Sequence, residues 1–227
     1  CGLYDVSKAR FGQINNLIVN SSVAGGDTKV YNGVDALVVG RFGKGGSYTA
    51  GFSTGRTITD NCNQPNVPPQ FCRNTPAWGL ETEFKLSGVY PLPWWDVQVS
   101  GILQNIAGLA KSATYVATNA EIAPSLGRNL AACPNATGPC NATVTINLFP
   151  TNTELEPRST QIDARVTKLV RMGRARLAAH FDVYNLTNSS ALTAEQTRYS
   201  NANPQLWSGP ISVMVGRLFK VSAQLNF

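Results

Sequence analysis

Apolar and polar residues alternate through much of this chain, and the alternation comes in segments. Residues 30–42, VYNGVDALVVGRF, place Val34, Ala36, Val38 and Phe42 on one face. A period of two predicts a strand with one apolar face. The same period returns at 47–58, with Tyr48, Ala50 and Phe52 aligned. Residues 78–90 set Trp78, Leu80, Phe84, Leu86 and Tyr90 against Glu81, Glu83, Lys85 and Ser87. Residues 96–106 set Val97, Val99 and Leu103 against Asp96, Gln98, Ser100 and Gln104. Residues 158–170 set Ile162, Ala164 and Val166 against Asp163, Arg165 and Thr167, and 175–186 set Leu177, Ala179, Phe181 and Val183 against Arg176, His180 and Asp182. A seventh strand ends the chain, with Phe219, Val221, Ala223, Leu225 and Phe227 opposite Lys220, Ser222, Gln224 and Asn226.

The connections between these strands alternate in length. Short turns at 43–46, 91–95 and 171–174 carry the glycines and prolines that tight turns use. Long connections at 59–77, 107–157 and 187–210 fall between them, and the longest contains candidate strand extensions at 113–118 and 143–148. Short turns on one side and long loops on the other are the pattern of outer-membrane barrels. The expected fold is therefore all-β: the C-terminal part of an antiparallel up-and-down transmembrane β-barrel, about seven strands, forming an open curved sheet in isolation. Residues 1–29 read as an extracellular loop remnant and 30–227 as barrel, with short turns periplasmic and long loops outside. Across the third turn, pairing Val170 with Ala175 brings Ala164 opposite Phe181, Ile162 opposite Val183, Arg165 opposite His180 and Asp163 opposite Asp182. Trp78 and Tyr90, twelve residues apart on one face, would stand roughly 28 Å apart along the membrane normal at ~3.3 Å per residue and ~45° tilt. That spacing suits two aromatic girdles, with Trp94 and Trp95 at the periplasmic one.

Composition agrees with this pattern. The chain has 227 residues, 43% hydrophobic and 14% charged, with mean hydropathy of −0.10. No stretch approaches the ~18 apolar residues of a membrane-spanning helix, but a spanning strand needs only about 9–11 residues, with alternate ones apolar. The 19 Lys and Arg give a net charge of +6. They are scattered rather than clustered, which argues against nucleic acid as a partner. Of the five cysteines, Cys62 and Cys72 share one polar loop, and Cys133 and Cys140 another. Neither pair has metal-ligand spacing, and the single histidine makes zinc a poor fit. Local disulfides in an oxidising compartment are expected instead. Cys1 is left over, and the chain reads as a fragment whose Cys1 partner lies upstream.

Several residues invite a chemical reading. His180 and Asp182 share a face, and with Ser100 or Ser222 they suggest nucleophilic catalysis; nothing in the spacing demands a nucleophile there. A polar lumen network of Asp163, Arg165, His180 and Asp182 is the expectation, because unpaired charges in a barrel wall are costly. No enzyme activity, cofactor or metal is expected. Gly43–Gly46 lacks the Lys-Ser/Thr and helix of a phosphate loop. Asp5, Asp27, Asp60 and Asn61 lack calcium-ligand spacing. The Asn-x-Thr sites at Asn135 and Asn141 matter only in a glycosylating pathway.

The tail VGRLFKVSAQLNF resembles the last strand of TonB-dependent receptors. RSTQIDARVTKLVRMGRARLAAHFDVYNLTNSSAL is similar to their penultimate hairpin, through Gln161, Asp163, Arg165, Gly173, Asp182, Tyr184 and Asn185. GVDALVVGRFGKGGSYTAGFSTGRTITDNC and YPLPWWDVQVSG resemble earlier strands of the subgroup with a carboxypeptidase-regulatory-like N-terminal domain. The resemblance covers residues 2–227 and is architectural rather than catalytic. It implies a 22-stranded barrel, a plug and a TonB box outside this chain, and active import of a small-molecule or oligosaccharide ligand. Its implied partners are outer-membrane lipid, TonB through the N-terminal part, and the barrel assembly machinery, which would recognise an aromatic signal at Phe219 and Phe227. A passive porin, an outer-membrane enzyme using His180 and a soluble β-sandwich are the alternatives.

Overall fold

In the computed structural model the described residues are 4–15, 17–23, 25–64, 67–68, 70–150 and 152–227; Cys1 lies outside them. Strand makes up 49% of the chain against a single α-helix, so the all-β expectation holds. The main sheet has eight strands, one of them the two-residue Arg73–Asn74 paired antiparallel with Thr59–Asp60; the seven long ones are β1 (Thr28–Phe42), β2 (Gly46–Asp60), β3 (Glu83–Pro91), β4 (Val97–Ile106), β5 (Ser159–Met172), β6 (Ala175–Tyr184) and β7 (Leu218–Asn226). They pair in sequence order, every neighbour antiparallel. β7 lies beside β6. Among the described residues the outer edges of β1 and β7 have no partner, so the sheet is open and no closed barrel forms.

The registers carry the alternation from strand to strand without inversion. One face collects Asp35, Ser53, Glu83, Lys85, Gln104, Ser100, Gln161, Asp163, Arg165, His180, Asp182, Lys220 and Ser222. The other collects Val38, Ala50, Phe52, Leu86, Leu103, Val99, Val166, Phe181, Phe219 and Val221. The polar face is concave, holding a depression of about 500 Å³ that reaches from Ser47 on β2 to Tyr184 on β6. The apolar face is uncovered. Among the described residues the buried apolar side chains are Ala113, Ala117, Leu130 and Ala131 with Cys72 and Cys133, all in the long loops. The accessible surface is 15370 Å², whereas a compact monomer of this mass exposes about 10,000 Å².

Three details depart from the sequence expectations. The β5–β6 hairpin closes through two residues, Gly173 and Arg174, so Met172 faces Ala175 and Val170 faces Leu177. Gly173 adopts φ +61°, the conformation that the first position of such a turn requires and that glycine supplies without strain. The register is thus two residues off the expected one. A two-residue shift preserves the faces but changes the partners: Arg165 meets Asp182, and Thr167 meets His180. Second, β3 starts at Glu83, not at residue 78. Gly79 sits at φ +83° and Thr82 N donates to Gly79 O (3.1 Å), so Trp78 belongs to a turn. Its strand spacing to Tyr90 does not exist; Trp78 instead lies under the Arg56 guanidinium at 5.6 Å. Third, a helix, α1 (Asn119–Leu126), interrupts the longest loop.

The long loops are structured. Strand extensions Thr114–Thr118 and Thr143–Asn147 pair antiparallel, and Arg198–Tyr199 from the next loop joins as a third strand. Trp207 Nε1 donates to Ser112 O (2.9 Å), tying the same two loops together. The Asp5 carboxylate accepts from Arg128 Nη1 (2.7 Å) and Ala131 N (2.9 Å), so the segment before β1 docks on the same assembly.

Candidate functional site

The chemistry-bearing residues converge on the concave face, at β5 and β6. Arg165 donates from Nε to Asp182 Oδ1 and from Nη2 to Asp182 Oδ2 (3.2 Å). The fork geometry of a guanidinium matches a carboxylate with two parallel bonds. Asp182's side chain is 3% exposed and Arg165's is 43%, so the carboxylate has given up water and the guanidinium compensates it. Thr167 Oγ1 and His180 Nδ1 lie 3.0 Å apart. Asp163 accepts from Gln161 Nε2 (2.9 Å) and from the backbone N of Asn185 (2.8 Å). Asn185, at φ +50°, donates from Nδ2 to Ser189 O (2.8 Å) and Val215 O (2.9 Å) and accepts from Ser189 N (2.8 Å). It locks the loop leaving β6 to the segment entering β7.

Of the four expected network members, Arg165 and Asp182 come together directly. His180 and Asp163 are satisfied by Thr167 and by Gln161 with Asn185. The like-charge opposition of Asp163 and Asp182 disappears with the register shift. Asn185 and Gln161 are organising residues that the pattern of charges alone misses; asparagine beside a strand end, tolerant of the left-handed region, was the available signal. Ser222 is the register partner of His180, and Ser100 of Arg165, and no hydrogen bond joins either hydroxyl to the ring among the described residues. Among the described residues the hydrogen-bond partner of the His180 ring is Thr167.

The loop candidates also resolve into local pairs. Asp27 accepts from Gln64 Nε2 (3.2 Å), Asp60 accepts from Cys62 N (3.2 Å), and Asp5 serves Arg128. Among the described residues no three His, Cys, Asp or Glu groups gather as metal ligands. Cys62 and Cys72 stand with Cα atoms 4.6 Å apart and Cys133 and Cys140 at 5.9 Å, both bonded and both within the ~4.4–6.8 Å a disulfide requires. Phe219 stacks on Phe181 at 6.1 Å on the apolar face, and Phe227 is fully exposed.

In the long loop, Thr118 caps α1: its backbone N and Oγ1 reach Glu121 at 2.7 and 2.8 Å, and Glu121 N returns to Thr118 Oγ1. The Tyr115 hydroxyl donates to Glu121 as well. That bond first, then those from Thr118, holds the Glu121 carboxyl below the usual range, and the same contact raises Tyr115. No protein-family model matches the chain, and no curated protein matches it.

Proposed function

We propose that this chain is a wall segment of an outer-membrane β-barrel, and that the barrel is a TonB-dependent receptor importing a bulky nutrient. The observation that carries the membrane reading is the uncovered apolar face of a sheet of seven long strands whose other face is concave and polar. A soluble sandwich buries such a face under a second sheet. Lipid does the same for a barrel wall, and water fills the polar side. The strand lengths agree: the shortest of the seven has 9 residues, which matches the ~9–11 needed to span. The Arg165–Asp182 pair and the bonds to Asp163 keep charges compensated in a wall where an unpaired one would be expensive.

Active import rests on the resemblance of the β5–β6 hairpin and of β7. The pairs Gln161 with Asp163, Asp163 with Asn185, and Arg165 with Asp182 join residues that carry that resemblance. Fractionation tests the first level. The protein should remain in the outer membrane after urea washing and migrate differently in gels before and after heating. A folded monomer stable in detergent-free buffer would overturn it. Uptake that collapses when the proton-motive force is dissipated supports a receptor, and uptake that is indifferent to it favours a passive porin.

A further inference from the structure

The charges of the sheet are divided unequally between its ends. At the short-turn end lie Arg41, Lys44, Lys168, Arg171, Arg174 and Arg176 against one carboxylate, Asp96. Six less one leaves +5 of the chain's formal +6. The rest of the chain keeps thirteen basic groups (nineteen less six) and twelve acidic ones (thirteen less one) and is close to neutral. All six basic residues are exposed. Among the described residues the one ion pair at this end is Arg171 with Asp96, at 3.9 Å and largely in solvent. Arg171 and Arg176 are register partners, and like charges directly opposite each other destabilise a strand pair. This end therefore has a standing deficit of negative charge.

The surroundings narrow down what supplies it. Trp94, Trp95, Phe42 and Met172 are exposed at the same level, and Phe42 stacks on Tyr90 at 5.4 Å. Lys168 leaves the apolar face of β5 by reaching to the Trp95 carbonyl in the neighbouring turn. Lys44 and Arg174 occupy turn tips. Exposed indoles at the end of an apolar belt, interleaved with cations that reach away from it, form the composition of a bilayer interface. By register Arg41, Arg171 and Arg176 fall on the polar face, while Lys44, Lys168 and Arg174 lie at the turn tips and the rim of the apolar face, at the level of the indoles.

We infer that the short-turn end docks on anionic phospholipid headgroups, with Lys44, Lys168 and Arg174 meeting phosphates and Trp94 and Trp95 seated beside them. This rests on the membrane-barrel reading above. The protein carrying this chain is reconstituted into phosphatidylcholine vesicles containing either brominated phosphatidylglycerol or brominated phosphatidylcholine. Quenching of Trp94 and Trp95 is isolated by subtracting the Trp94→Phe/Trp95→Phe variant. Quenching should be stronger with brominated phosphatidylglycerol, and each of Lys44→Gln, Lys168→Gln and Arg174→Gln should lower that preference by roughly fivefold. Raising salt from about 0.1 M to about 1 M, which shortens the screening length from ~10 to ~3 Å, should nearly abolish it. A control losing Arg10, Arg73 and Arg198 to Gln at the long loops should retain it. Equal quenching by the two lipids leaves the barrel reading standing and overturns the inference. So does loss of preference in the control, or its retention when Lys44→Gln, Lys168→Gln and Arg174→Gln are combined in one chain. Absence of quenching by either lipid overturns both readings.

Discussion

Placing a lysine on each face of β7 in turn separates a lipid-facing surface from a water-facing one. Ala223 lies on the apolar face between Val221 and Leu225, opposite Ala179; Ser222 lies on the polar face opposite His180, one register step from the Asp182–Lys220 pair. The strand has 9 residues centred on Ser222, and at ~3.3 Å per residue with ~45° tilt it crosses roughly 21 Å. In the proposed barrel, with the strand centred in the bilayer, position 223 would fall within ~3 Å of the midplane, where a lipid-facing Lys costs about 2–4 kcal/mol. At ~1.4 kcal/mol per decade, that is roughly 30- to 1000-fold in the folding equilibrium. Ser222→Lys adds a cation near Lys220 but also near Asp182 in an aqueous environment, and should cost less than about 1 kcal/mol. The assay is reversible urea unfolding of the reconstituted protein, read beside the amount of assembled protein in the outer membrane. Ala223→Lys should lose at least 1 kcal/mol more than Ser222→Lys. Equal tolerance, or the reverse order, would refute the assignment of faces.

Reducing the Cys133–Cys140 bond should loosen the long loop alone: closing a loop of this length stabilises by about 2–3 kcal/mol, so Cys133→Ser should speed trypsin cleavage after Arg128 and leave the sheet's urea midpoint unchanged. Glu121 has its folded pKa depressed below the ordinary 4.5. Its contribution to the α1 cap is therefore complete above that pH and lost as pH falls through the lower folded value. Tyr115 is raised above 10.0, so its contribution is complete below that pH and lost as pH rises further. Amide exchange in α1 should accelerate at both extremes, and Glu121→Gln should remove the acid limb. A tag inserted within residues 134–139 should be labelled on intact cells; labelling only after permeabilisation would invert the topology. Deleting Phe227 should reduce the amount of assembled barrel, measured by heat-modifiable migration, while synthesis is unchanged.

The period-two segments located six of the seven long strands to within two residues at their starts, because most of each strand alternates and glycine- or proline-bearing turns bound it. What the pattern could not decide was turn length. A two-residue and a four-residue β5–β6 turn preserve the same faces, so alternation is blind to the choice, and only Gly173's backbone conformation selects the shorter. Trp78 misled for a related reason: Trp78, Leu80 and Phe84 share a parity, but parity does not report that Gly79 bends the chain between them. α1 carried a legible signal in Thr118-x-x-Glu121 followed by Gly127, a capping box and a left-handed terminator. It was hidden by the loop's polar, proline-bearing composition. In the candidate site, the need for charge compensation was legible, whereas the partners were not, since a two-residue shift of register decides whether Arg165 meets His180 or Asp182.

The competition between lipid and a second protein layer turns on what this chain has to offer as cover. Its two smaller sheets, residues 192–195 with 210–213 and the three strands from 114–118, 143–147 and 198–199, belong to the long loops at one end. Part of the loops' apolar surface is used locally, with Ala113, Ala117, Leu130 and Ala131 buried within the loop assembly, while Val144, Ile211 and Val213 stay exposed there and leave the main sheet's apolar face uncovered. Cover for Val38, Phe52, Val166, Phe181 and Val221 must come from outside the described residues. A packed sheet would have to match seven strands of 9 to 15 residues on a face of plain aliphatic and aromatic side chains. A bilayer needs no such complementarity. The edges add a second requirement, because an unpaired strand as long as β1 is a template for aggregation. In an aqueous sandwich such an edge needs charges or prolines facing outward. Here β1 presents VDALVV at its centre with one carboxylate, Asp35, bonded to Ser53. In a barrel both edges are closed by further strands. A single hypothesis, closure within lipid, thus meets both the exposed face and the exposed edges, while the soluble alternative needs two separate devices.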